Sequence, residues 1–219
     1  SDYTLCTPGQ GWWADEILAE RPDLRGAALE CQIRDVAGGA DLRWDLPENL
    51  LAAVAYRVGE SGLEPGSAVD LRPHAAGGSL AWRAPAGRWK AALVHFRVQP
   101  LSLDPMHPEC GQQVIAKFFQ RFEDRCPGEG GKGLNWFFSD ELDFGVGGRL
   151  WNARFADEFR KRKGYDLLPE LPALFLDVGP RTPKVRLDYY DVLVRLEEEG
   201  YFRPVFDWHQ RRGMIYGSD

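Results

Sequence analysis

Leu134–Asn135–Trp136–Phe137–Phe138–Ser139–Asp140–Glu141–Leu142–Asp143 is the stretch on which the fold turns. A short, mostly apolar run gives way at once to acids, the pattern of a strand buried on both faces, as in a parallel sheet. Upstream, Val114, Ile115, Phe118, Phe119 and Phe122 recur at helical spacing between Pro108–Glu109 and Pro127–Gly128. Downstream, the pattern predicts a helix from about Leu150 to Lys163, stopped by Gly164. A longer helix opens at Thr182 as cap and Pro183 as first residue, is kinked or divided by Pro204, and stops at Gly213. Met214, Ile215 and Tyr216 then begin a second buried strand. Strand, helices, strand is a βαβ unit, so the two strands are expected to be parallel neighbours or near-neighbours in one sheet or barrel.

The chain before Pro100 reads differently. Residues 1–28 carry turn residues (Thr7, Pro8, Gly9, Gly11) and a short helical pattern. From residue 29 to residue 100, extended runs bounded by Gly, Pro, Asp and Asn succeed one another: Ala28–Arg34, Leu50–Val58, Val69–Arg72, Ser79–Arg83 and Arg88–Val98. In the last of these Val94, Phe96 and Val98 are expected on one buried face. The expected organisation is a loop and short helix at 1–28, a mostly antiparallel, sandwich-like β unit at 29–100, and βα units at 101–219.

Composition limits the function classes. With 44% hydrophobic and 27% charged residues the chain can build a sizeable core, and it has no apolar run long enough to cross a bilayer and no secretory-signal pattern at residue 1. A net charge of −6 argues against nucleic acid or an anionic membrane as the main partner. The basic run Arg160–Lys161–Arg162–Lys163 falls in the last turn of a predicted helix, where cations offset the helix dipole. Cys6, Cys31, Cys110 and Cys126 form no metal-binding or disulfide pattern and read as small buried hydrophobes. Gly145, Gly147 and Gly148 match no phosphate-binding motif, and His74, His95, His107 and His209 are scattered, with no nucleophile elbow to join them.

Chemistry is concentrated where the first strand ends. Asp140, Glu141 and Asp143 follow Ser139 directly, and in parallel α/β folds the carboxyl ends of strands carry the reactive groups. Paired carboxyls are what glycosidic cleavage requires, one protonating the leaving oxygen and the other activating water or attacking carbon. Trp12, Trp13, Trp136 and Trp151 offer indole faces that stack on sugar rings, although each also suits a core.

Several segments together carry a family resemblance: Phe137–Phe138–Ser139–Asp140–Glu141, Phe155–Ala156–Asp157–Glu158–Phe159, Lys163–Gly164–Tyr165–Asp166–Leu167, Leu171–Pro172–Ala173–Leu174–Phe175, Arg186–Leu187–Asp188–Tyr189–Tyr190–Asp191–Val192 and Asp207–Trp208–His209. In order and spacing they resemble the central region of glycoside hydrolase family 106, the α-L-rhamnosidase family, and Pro85–Ala86–Gly87–Arg88–Trp89 resembles a segment of its β-rich insertion. The resemblance implies an α/β fold, part of a (β/α)8 TIM-type barrel with a β-rich antiparallel insertion, and a carbohydrate substrate. By the same resemblance Glu141 is the general acid and Asp140 orients or tunes it, with Asp143, Trp151, Trp12 and Asp219 as further cleft residues. No metal ligands are assigned, though some family members hold calcium near the sugar.

Measured against the family, the chain resembles a middle section. Asp2–Tyr3 resembles the end of a barrel strand, and the second carboxylate comes from a later strand. The expectation is a section of a longer enzyme, or a chain that covers its open sheet edges by self-association. Two other functions stay open: a non-catalytic carbohydrate-binding or interaction module on a barrel shell, and a metal-dependent lyase or isomerase, for which the scattered histidines supply no ligand cluster.

Overall fold

The first half of the chain is extended because its apolar residues alternate or run continuously between turn residues. It forms β1 (Arg25–Ala37), β2 (Asp41–Asp45), β3 (Leu50–Val58), β4 (Val69–Asp70), β5 (Ala75–Ala76), β6 (Ser79–Arg83) and β7 (Arg88–Leu103). The helices are α1 (Trp12–Glu20), α2 (Cys110–Val114), α3 (Gln120–Arg125), α4 (Phe155–Lys163), α5 (Thr182–Glu197) and α6 (Arg203–Gln210), and three short strands complete the set: β8 (Trp136–Ser139), β9 (Arg149–Trp151) and β10 (Ile215–Ser218). This is a computed structural model, and it describes residues 12–139 and 144–218. The described residues fall into two compact units, one drawn from 12–28, 98–139, 144–152 and 193–218, the other from 29–97 and 153–192.

In the second unit, β2, β5 and β6 make a three-stranded antiparallel sheet that faces the larger sheet of order β4-β3-β7-β1. The core between them sets Trp44, Trp82 and Trp89 against Ala53, Ala55 and Ala91. Large rings fill the space that the alanines leave, and Trp82 meets Trp89 edge to face at 5.5 Å. The opposite face of β3 is covered by the 3₁₀ segment Leu168–Leu174, which buries Leu171, Pro172, Ala173 and Leu174. β3 is therefore buried on both faces, which explains its nearly unbroken apolar sequence.

The same arrangement corrects the expected face of β7. Val94 is fully buried, Phe96 is half-buried and Val98 is 43% exposed. Antiparallel pairing with β3 ends at Leu50 opposite His95, and residues 96–101 are partly or fully exposed before β7 is buried again at Ser102 and Leu103.

In the first unit, Val114, Ile115, Phe118 and Phe119 lie in one core with Phe137, Tyr201, Val205, Trp208 and Met214. The helix carrying the first four is interrupted by a π-helical turn, Ile115–Phe119, and a second π turn, Glu198–Phe202, separates α5 from α6. Gly200 permits that second turn to sit close, since a Cβ there would approach Pro105 O to 2.5 Å and His107 O to 2.7 Å. β8 and β10 pair in parallel, with Trp136 opposite Ile215 and Ser139 opposite Ser218.

The expected barrel is not formed. Among the described residues the parallel pair stands as a two-stranded sheet, the larger sheets are mostly antiparallel, and nothing closes into a (β/α)8 ring. A closed barrel needs eight parallel strands. This sequence offers one βαβ unit and uses most of its other strands in the antiparallel sheets. Two further corrections are local: Arg149–Trp151, read as the start of a helix, is β9 beside β1, and Cys126, read as buried, is exposed.

Candidate functional site

β8 and β10 end side by side. Ser139 and Ser218 are register partners, and the sequence continues from them with Asp140–Glu141 on one strand and Asp219 on the other. Neighbouring strands are ~4.8 Å apart, so two acid-bearing stretches start from adjacent points. The chain returns at Phe144, whose ring meets Tyr201 at 4.7 Å and Phe202 at 6.4 Å. The anchors of the acidic segment are thus the β8–β10 ends on one side and the second π turn on the other.

A groove of about 570 Å³ adjoins these anchors, lined by Glu198, Phe202, Arg203, Phe206, Asp207 and Tyr216. Phe206 is 53% exposed, and Arg203 donates a hydrogen bond to the Glu198 carboxylate. Beneath the strands, His209 packs on Phe119, Phe137 and Tyr216 with ring centroids 4.6, 5.4 and 5.0 Å away. Its Nδ1 lies 2.7 Å from Val205 O, which fixes the neutral tautomer with the proton on Nδ1. Burial pushes this imidazole down to about 4; the Val205 bond opposes the shift and the Arg212 charge adds to it. Tyr201 and Tyr216 join their hydroxyls at 3.2 Å.

A second pair of acids lies in the same unit. Asp104 follows the end of β7 and is 2% exposed, with Oδ1 accepting the Met106 N–H at 3.0 Å and Oδ2 accepting Asn152 Nδ2 at 2.8 Å. Glu197 ends α5. Burial, and then the charge of Asp104, push its carboxyl up to about 7. This pair was not legible in the sequence, because its members belong to separate segments and neither stands in a motif. The only local signal was an acid directly after a long strand.

Of the residues singled out from sequence, Asp140, Glu141, Asp143 and Asp219 lie outside the described residues. Trp12 begins α1, with its side chain outside the description, and Trp151 is on β9, 3% exposed and packed in the interior. Among the described residues, which do not include Asp140, Glu141, Asp143 and Asp219, no cluster of three or more His, Cys, Asp or Glu could hold a metal ion. No described helix is long and apolar enough to cross a membrane.

Comparison with known proteins bears on this site. The family model for alpha-L-rhamnosidase, glycoside hydrolase family 106, matches residues 51–217. A solved rhamnosidase from Novosphingobium sp. PP1Y is similar over 72% of this chain, with 23% identity and a TM-score of 0.47. The matched region is 17% of that protein's length. No curated protein matches in a sequence search.

Proposed function

The chain belongs to glycoside hydrolase family 106, the alpha-L-rhamnosidase family, and from that premise we propose that it serves the hydrolysis of rhamnosides by a pair of carboxyl groups. Glu141 is the general acid that protonates the leaving oxygen, and Asp140 orients it. Asp143, Asp219 and Trp12 contact the sugar, and the facing carboxyl, acting on water, comes from a later strand, as the resemblance implies. The observation that carries this reading is the parallel register that sets Ser139 beside Ser218.

The test is release of nitrophenol from p-nitrophenyl α-L-rhamnopyranoside. The expected result is turnover that falls roughly 10²–10⁴-fold in Glu141→Gln, the range for loss of a general acid. Asp219→Asn should raise KM. Binding of L-rhamnose without any turnover would overturn the catalytic reading in favour of a carbohydrate-binding module.

A further inference from the structure

The groove beside the second π turn is lined by residues that packing alone does not explain. Phe202 and Phe206 stand four residues apart, about one turn, and Arg203 and Asp207 repeat that spacing beside them. α6 buries Val205 and Trp208, yet these two phenyl rings are left in the groove, with Phe206 53% and Phe202 37% exposed. Tyr216 of β10 supplies a third ring to the lining, its hydroxyl joined to that of Tyr201.

The polar groups of the lining select among ligands. Arg203 donates to Glu198, which neutralises one acid and leaves further guanidinium N–H groups of an exposed side chain unspent. The half-buried Asp207 makes no side-chain hydrogen bond or ion pair among the described residues, although it lies close enough to Arg203 for their charges to interact. The lining therefore offers aromatic faces, unspent carboxylate oxygens and spare N–H donors, with two acids to one base. An anionic ligand would meet excess negative charge. A wholly apolar ligand would strip water from Asp207 and return no hydrogen bond. An amphipathic helix anchors through a longer apolar row than two rings one turn apart. A pyranose satisfies both kinds of surface: its C–H face lies against a phenyl ring, while its hydroxyls donate to a carboxylate and accept from a guanidinium. The volume of about 570 Å³ falls within the ~300–1,000 Å³ usual for small-molecule clefts.

We propose that the groove lined by the second π turn, α6 and Tyr216 is a binding site for a neutral pyranose ring, seated on Phe202 and Phe206 and held through its hydroxyls by Asp207 and Arg203. The ring is either rhamnose or another hexose of the same glycan, since both present the same C–H faces and hydroxyls. None of these residues is assigned to bond cleavage, so the inference rests on the carbohydrate substrate of the family and not on the role of Glu141.

Titration of the intact chain with methyl α-L-rhamnopyranoside and, separately, with methyl β-D-glucopyranoside, followed through backbone amide shifts by NMR, tests this. Saturable shifts at residues 202–207 and 216 are the expected result, and the glycoside that saturates at the lower concentration identifies the ring. Phe206→Ala should raise the dissociation constant about tenfold through loss of the stacking face. Asp207→Ala should raise it by a similar factor, the worth of a hydrogen bond to a charged acceptor. Neither side chain is part of the core, so both variants should melt at the wild-type temperature. The shifts at 202–207 should persist in Glu141→Gln, which keeps this result apart from the fate of the general-acid assignment. Shifts confined to residues 140–143, or no saturable shift with either glycoside, would overturn the proposal. Equal binding of 1-butanol, which lacks the array of hydroxyls, would mean an apolar groove only, and glycoside affinity unchanged in both variants would likewise overturn it.

Discussion

The β-sandwich core and the core beneath the β8–β10 pair solve the same burial problem with different materials. The sandwich is closed by tryptophans against alanines, and the buried titratable groups of its unit, His95 and Asp188, lie outside that core cluster. The other core surrounds a histidine held neutral, and its unit also contains the buried Asp104 and the perturbed Glu197. Apolar burial does not respond to protons, whereas a buried titratable group makes stability a function of pH. The two cores should therefore differ less in how stable they are than in what disturbs them.

The largest effect expected is from Trp82→Ala. Trp82 is buried, edge-on to Trp89, and faces alanines that cannot collapse into the space it would leave. Removing it should cost about 3–5 kcal/mol, by the usual cost of truncating a buried aromatic. In urea or guanidinium titrations this loss should be the same at pH 5 and pH 8. A loss that changes with pH would break the contrast between the units.

His209 should show the opposite behaviour. Its acidity is lower in the folded chain, about 4 against about 6.5 unfolded, so the unfolded state takes up the proton first as the medium is acidified. Stability is complete above pH 6.5 and declines as pH falls from 6.5 towards 4. The shift sets the total loss at about 3 kcal/mol. Because Glu197 titrates across the same window with the opposite sign, denaturation midpoints are best compared in Glu197→Gln, where they should slope across that window and flatten when His209→Phe is added. A slope unchanged in His209→Phe would place the sensitivity elsewhere.

The two units also differ in how well the sequence announced them. Residues that act locally were readable. Leu50–Val58 and Ser79–Arg83 are strands at the expected boundaries, Thr182–Pro183 opens α5, and Pro204 lies in the first turn of α6, just past the π turn that divides the helices. The parallel pairing of β8 with β10 was also legible, because a strand, helices and a strand leave few other connections. Short strands were missed: β2 and β5 are too brief to show a period, and β9 lies so near α4 that its residues read as helix. The barrel expectation extended one βαβ unit into a closed ring that most of the strands do not join. Asp104 and Glu197 escaped notice because burial and distant packing perturb them, and no local pattern records either. The strand-end acids were legible as chemistry from their position alone, but their geometry lies outside the described residues.

The smallest effect tests the part of the sequence that was read most directly. Gly164 ends α4 in the left-handed conformation, φ 77°, and its N–H donates to Arg160 O at 2.8 Å. A side chain in that conformation is strained, while the basic last turn, Arg160–Lys163, would still favour ending the helix there. Nothing lies within 4 Å of a Cβ built on Gly164, so a substitution would meet no clash and the backbone alone would resist it. Gly164→Ala should therefore cost about 1 kcal/mol by the strain of placing a Cβ in the left-handed region. Gly164→Asn should cost less, since asparagine tolerates that region better. The ordering Gly, Asn, Ala in melting temperature, the same at pH 5 and pH 8, is the expected result. Equal stability of all three would mean that the turn after α4 can relax into another conformation, and that the glycine is not what stops the helix.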